Sequence, residues 1–577
     1  MNHSTPFLWF TAVVLSAFAL LTGCSQEAPD SSADTASSAQ TAEALDAPRA
    51  AAEAGWRQPL FEGLGDLHIP ITTSSPTAQQ YFDQGLSLAF AFNHAAADFA
   101  FNEAALHDPD CAMCYWGSAL VLGPNVNAAM DPGNAERAYS LATRAAELAA
   151  GTTAKEQALT AALVERYAPT APEDRTALDE AYADAMRAIA ARYPDDPDVQ
   201  ALTAEALMDL HPWDFWLADG EERPWTAEII DTLERALALD ENHAGAIHLY
   251  IHAVEQSSDA HRAEPYADKL ADLAPAAGHL VHMPAHIYIR VGRYHDATLN
   301  NMKATDADAA FVQACRSNSP IYLAGYIPHN WHFGWITAAI EGWSEQAFRM
   351  AEGTAERLTP ELLRAPGMAV AQHFLMQPAY AQVRFGAWDD ILQSPEPDAD
   401  LLYARGVWHY ARGRAFLGKG DSEAAAAEAD KLAALRADPG MADMTFFERG
   451  SGDALLAIAE LVLLGEMDAA EGNLDEAIAR LEEAVVLEDA LPYNEPPDWY
   501  YPARHSLGVL QLAAGDAAAA EQTYREDLAI MPENGWALIG LEQALRAGGD
   551  DEAADAVRGR FETAWQHADM EISASRI

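Results

Sequence analysis

Residues 508–532 read GVLQLAAGDAAAAEQTYREDLAIMP: two alanine-rich apolar runs, broken at Gly515 and closed by Pro532. Gly508, Ala520, Tyr524 and Pro532 stand at places 8, 20, 24 and 32 of a 34-residue period. Working outward, Gly85, Ala97, Phe101, Ala104 and Pro109 occupy places 8, 20, 24, 27 and 32 of another copy. Gly413, Phe416, Gly420 and Ala425 take places 8, 11, 15 and 20, and Ala285, Tyr288, Gly292 and Ala297 do the same. Gly465, Gly472, Ala477 and Ala484 take 8, 15, 20 and 27. One such match is weak because these are common residues. Five in phase are strong. From about residue 76 the chain reads as helix after helix, with Gly and Pro as punctuation and no alternating strand pattern.

These positions resemble the tetratricopeptide repeat (TPR), a helix pair with small or aromatic residues at fixed places. Small residues at 8 and 20 let the paired helices approach closely, and one pair cannot bury its apolar face without a neighbour. The expected fold is all-α: a TPR-like α-solenoid, a right-handed superhelix of helix hairpins with a concave groove. The resemblance covers most of residues 76–568 and is poorest at 125–200 and 211–226, the second of which reads as an insertion. The expected organisation is a signal peptide over 1–23, a tether over 24–55, an N-terminal solenoid with a His-rich groove over 56–400, and C-terminal repeats over 401–577.

The 577 residues carry 88 Asp and Glu against 35 Lys and Arg, a formal net charge of −53, while half the residues are hydrophobic. This is the composition of a folded acidic protein. Such a surface repels nucleic acid, lacks the basic clusters that grip anionic lipid, and admits an anionic ligand only in a local basic pocket.

Pro6 to Gly23 is almost wholly apolar and uncharged, and ends at Leu21-Thr22-Gly23-Cys24. Its length and abrupt end suit a signal peptide better than a membrane helix. Leu-Thr-Gly-Cys resembles the bacterial lipobox, which implies lipidation of Cys24, although Met1 to Thr5 contains no Lys or Arg. Ser25 follows, where an Asp would resemble an inner-membrane retention signal. The expected location is therefore the bacterial cell envelope, lipid-anchored at the outer membrane and facing the periplasm. Residues 25 to about 55 are rich in Ser, Ala and acids, as a flexible tether is. In the body, Cys111-Ala-Met-Cys114 is followed by Tyr115 and so is not a c-type haem site. A buried apolar pair or a disulfide is preferred there to a soft-metal pair.

The histidines follow the repeat. His248 and His252 are four apart, as are His282 and His286, and the two pairs are 34 residues apart. They take places 5 and 9 of consecutive first helices, with His279 at place 2 of the second. His329 and His332 take places 2 and 5 of the next repeat. Places 2, 5, 9, 12 and 13 share one helical face, opposite the packing face. In the TPR family that face lines the ligand groove. Glu255 falls at place 12 and Arg290 at place 13.

Stacked His-x-x-x-His pairs suit a divalent transition metal, zinc, copper or iron, because i and i+4 imidazoles reach one centre. The candidate metal ligands are His248, His252, His279, His282, His286, His329 and His332. Glu255 is a candidate ligand, orienting group or general base, and Arg290 a clamp for a carboxylate or phosphate. Met283 stands where a zinc protease has its catalytic Glu, and Pro284 should sit inside its helix, breaking a backbone bond and kinking it. A single helical histidine is more often a packed residue than a ligand, so packing and metal-independent ligand contact stay open for this set.

Val281-His-Met-Pro-Ala-His-Ile287 and His329-Asn-Trp-His332 resemble segments of a bacterial TPR lipoprotein family of unassigned activity. They are more faintly similar to the tetratricopeptide repeat protein 38 family. The resemblance marks the histidine stretch, Asn330 included, as the shared feature and implies no reaction. Two functions follow as expectations. One is metal-assisted hydrolysis or oxidation, with Glu255 as base and Arg290 and Asn330 contacting a small anionic ligand. The other is a non-catalytic scaffold holding a protein or peptide in the groove.

Overall fold

The computed structural model describes residues 55, 57–218, 220–315, 322–365, 367–446 and 450–577. The stretch expected to be a signal peptide, Cys24 and the expected tether up to residue 54 lie outside the described residues. The fold is a TPR-like α-solenoid. Apart from one two-residue antiparallel pairing, Thr445–Phe446 with Gly450–Ser451, the named elements are helices. None among the described residues is long and apolar enough to cross a membrane.

The chain forms two compact units. The first holds the described residues up to Pro284 with the stretch Lys303–Leu323, and the second holds Ala285–Met302 with Ala324–Ile577. Residue 400, next to the expected start of the C-terminal repeats, lies inside the second unit.

The first unit opens with the hairpin Pro76–Phe90 and His94–His107 and continues through Ala112–Leu120 with Ala135–Leu148. Ala154–Glu165 with Thr176–Arg192, and Pro197–Met208 with Thr226–Leu239, follow. Helix pairs therefore run through 125–200, where the repeat is faint in the sequence. Helix Ala244–Val254 packs against Pro76–Phe90, the first helix among the described residues. The approach is close at Gly245, where a Cβ would come within 2.5 Å of the Phe90 ring. Cys111 and Cys114 form a disulfide at the start of helix Ala112–Leu120.

The second unit carries the regular C-terminal hairpins, among them Leu402–Gly418 with Ser422–Arg436 and Gly452–Glu471 with Leu474–Asp489. Ala503–Ala513 with Ala517–Ile530 and Gly535–Gly548 with Asp551–Ala564 complete it.

One packing device recurs in both units. The aromatic ring at place 24 fills the gap left by the glycine at place 8 of its own repeat and by the corresponding glycine of the next. Phe101 sits against Gly85 and Gly117, and Tyr524 against Gly508 and Gly540. A Cβ at Gly85 would meet the Phe101 ring at 2.7 Å, so the ring replaces a side chain that cannot be there. Glycine at place 15 has a different reason. Gly292, Gly420, Gly472 and Gly515 have φ of 80°, 80°, 88° and 86°. This left-handed residue ends one helix and turns the chain into the next.

Candidate metal centre

His248 and His252 lie on helix Ala244–Val254, and His279 and His282 on the short helix Gly278–His282. A turn at Met283 ends the short helix and Pro284 begins the next, so the proline goes further than the kink expected and divides the helix in two. The division between the units falls directly after Pro284, so His282 belongs to the first unit and His286 to the second.

In the first unit, one nitrogen from each of His248, His252 and His279 lies within 4.8 Å of the other two. The Nε2 atoms of His248 and His279 are 3.1 Å apart. Tetrahedral ligands at about 2.1 Å from a metal stand roughly 3.4 Å from one another, so this pair is already at ligand spacing. Two of the rings are engaged through Nδ1. Nδ1 of His248 is 2.6 Å from the Phe90 carbonyl oxygen, and Nδ1 of His252 is 3.5 Å from Glu255 Oε1. A carbonyl only accepts, so His248 carries its proton on Nδ1 and presents a lone pair on Nε2. The Glu255 contact turns His252 the same way. The His282 ring lies 5.9 Å from that of His279, beside the trio.

All five of these residues are buried, the most exposed at 3 %. The histidine face therefore does not line an open groove. Two aromatic residues with left-handed backbones close over it. Phe92, at φ 54°, places its ring 4.4 Å from His248, 5.9 Å from His252 and 5.6 Å from His279. Trp213, at φ 58°, stands edge-on to His252 at 5.2 Å and donates from Nε1 to Asn127 Oδ1 at 3.0 Å. Backbones of this kind in non-glycine residues are costly and concentrate where the surroundings impose them. Trp213 belongs to the 211–226 stretch, which reads as an insertion in the sequence. Trp216 of the same stretch donates to the Ala253 carbonyl at 2.9 Å, holding it along the histidine helix.

Glu205 and Asp209, a further pair of carboxylates in this unit, belong to a different group. Asp209 forms an ion pair with the buried Arg166 at 2.5 Å, and burial pushes Glu205 up to about 7.

In the second unit, His286 Nδ1 faces Glu495 Oε2 at 3.3 Å, and its Nε2 lies 3.5 Å from His329 Nε2. Arg290 approaches Glu495 at 3.9 Å and stands over the Tyr493 ring at 5.9 Å. Tyr493 donates its hydroxyl to Glu495. Asn330 is fully buried in helix Ile327–Glu341. His332 goes elsewhere: its ring meets those of His373 at 5.5 Å and Phe374 at 5.4 Å, and burial holds its basicity well below the ordinary histidine range. The seven histidines are thus distributed as a trio with His282 in the first unit, a His286–His329 pair in the second, and a separate His332.

Phe92, Trp213 and Glu495 are the residues that sequence reasoning missed. Phe92 lies in the turn of the first helix hairpin and Trp213 within the insertion, but nothing in their spacing points at His252. Glu495 lies in a loop far along the chain with no periodic signal.

No protein-family model and no curated protein matches the sequence. Among solved structures, the chain is similar to a human IFIT1 dimer with m7Gppp-AAAA at 12 % identity and a TM-score of 0.30, covering 90 % of this chain and 94 % of that one. It is similar to Cut9 in the APC/C hetero-tetramer Cut9-Hcn1 at 14 % and 0.26, covering 89 % and 94 %, and to yeast Tom70 at 14 % and 0.24, covering 91 % and 94 %. Likenesses this distant carry nothing about what the present chain binds.

Proposed function

We propose that the first unit binds one divalent transition-metal ion, of the zinc, copper or iron class, through His248, His252 and His279. The observation that carries this reading is the placement of three buried imidazole nitrogens within 4.8 Å of one another, with Phe90 and Glu255 at Nδ1 of two rings. Three imidazole nitrogens gathered at this spacing suit a cation, which takes one lone pair from each ring at once. Three protein ligands leave a position for water or a small anion. Zinc held there would lower the pKa of a bound water to about 7, as hydrolysis requires, and copper or iron would support oxidation. Glu255 holds and polarises His252 in this arrangement.

The Leu21-Thr22-Gly23-Cys24 motif supports a lipid-anchored protein of the bacterial cell envelope, with the metal unit on the periplasmic side of the outer membrane. Metal analysis of the purified chain tests the central point. Roughly one equivalent is expected, either as isolated or after reconstitution, and its loss in a His252→Ala, His279→Ala double variant that retains its helical circular dichroism. A wild-type chain that neither carries nor takes up zinc, copper or iron would overturn the metal reading. It would leave the non-catalytic scaffold, which the helix-hairpin architecture supports by itself.

A further inference from the structure

Arg384 ends helix Gln377–Arg384 in the second unit and is 6 % exposed. Of the buried arginines, Arg166 has Asp209 at 2.5 Å, Arg504 has Asp489 at 2.6 Å and Arg414 has Glu466 at 3.9 Å. Among the described residues no carboxylate lies within ion-pair distance of Arg384. Its guanidinium is instead held between aromatic rings, 3.7 Å from the Trp536 centroid and 4.4 Å from that of Tyr501. Both terminal nitrogens point at Nδ1 of His505, at 3.4 Å.

His505 is fixed in turn. Its Nε2 faces Asp527 at 3.1 Å, and Asp527 also accepts from Asn534 Nδ2 at 2.6 Å. With the Nε2 proton given to Asp527, Nδ1 keeps a lone pair for the guanidinium. The blunt end of the Arg384 fork is therefore used, while its Nε side has no acceptor. Arg384 also lines a small, partly open cleft whose other walls include Ile336, Ile340, Trp499 and Met531, with His505 and Asn534 on its polar side. Burial pushes Arg384 down to about 10, so its charge is held at a cost that a nearby anion would relieve.

We propose that this cleft binds a single small monovalent anion of halide size, held by the Nε side of the Arg384 guanidinium against an apolar wall. The two N–H groups on that side converge on one point, which suits a sphere such as chloride. Sulfate and phosphate keep too much hydration for apolar walls to replace. The site is independent of the histidine trio.

Thermal unfolding of the whole chain in sodium chloride, sodium bromide, sodium acetate or sodium gluconate, at constant ionic strength, tests this. A site that binds only the native state raises Tm with saturation. Saturable increases are expected with chloride and bromide and not with gluconate or acetate, and the saturable part should vanish in Arg384→Gln. Should that variant fail to fold, crystals of the wild-type chain soaked in bromide should show an anomalous peak beside Arg384. Equal Tm in chloride and gluconate, a saturable response to acetate alone, or no bromide peak at Arg384 would each overturn the proposal.

Discussion

Nδ1 of His248 lies 2.6 Å from the carbonyl oxygen of Phe90, a residue 158 positions earlier in the chain. Because the carbonyl can only accept, this contact selects one tautomer of the imidazole and aims its lone pair at His279. Long-range 15N spectra of the metal-free chain should therefore show His248 protonated on Nδ1. Titration with zinc should shift Nε2 of the same ring and leave the Nδ1 proton in place. A His248 ring protonated on Nε2 would contradict the arrangement.

Glu255 Oε1 lies 3.5 Å from Nδ1 of His252. A carboxylate in that position raises the basicity of the ligand and fixes its orientation. Its loss typically costs about 10–100-fold in metal affinity. Glu255→Gln should weaken zinc binding by this order in a chelator competition. Unchanged affinity with a selective loss of turnover would instead assign Glu255 the general-base role.

Gly508 faces the Tyr524 ring at a separation no Cβ can occupy, whereas a Cβ at Gly548 meets nothing within 4 Å. Gly508→Ala should lower stability by about 1–3 kcal/mol through overpacking. Gly548→Ala, at an exposed helical position, should be neutral or add up to about 1 kcal/mol through helix propensity. Urea unfolding midpoints of the two variants check the contrast.

Asp498 is buried in the second unit, accepts from Asn494 Nδ2 at 2.7 Å, and is pushed by desolvation up to about 6. Between its ordinary value of 3.8 and about 6, the native state holds the proton more tightly than the unfolded chain does. This contribution to stability is complete below the lower value, falls as pH rises, and is gone above about 6. Its size is on the order of 3 kcal/mol. Asp498→Asn cannot ionise, so the wild-type chain should lose stability relative to it between pH 4 and 6 and run parallel above. Urea titrations across that range measure the difference.

Much of the architecture was legible without coordinates, because a helix hairpin is a local object. Gly85 with Phe101 and Gly508 with Tyr524 are the same spacing in two distant repeats, and each pair packs the same way. Pro284 interrupts its helix for reasons contained in its own ring. The i and i+4 spacing of His248 and His252 sets two imidazoles on one face wherever that helix goes.

What the chain order alone settled was therefore the kind of element, its ends and the face on which each histidine stands. Only the folded chain decided whether those faces open onto solvent or are buried, and which residues they meet. Phe90 behind His248, Trp213 over His252 and Glu495 beside His286 come from segments with no periodic relation to the histidines. Small rotations between successive hairpins accumulate along a repeat array, so where a late helix returns against an early one depends on all the interfaces between them, and no short stretch of sequence encodes that sum.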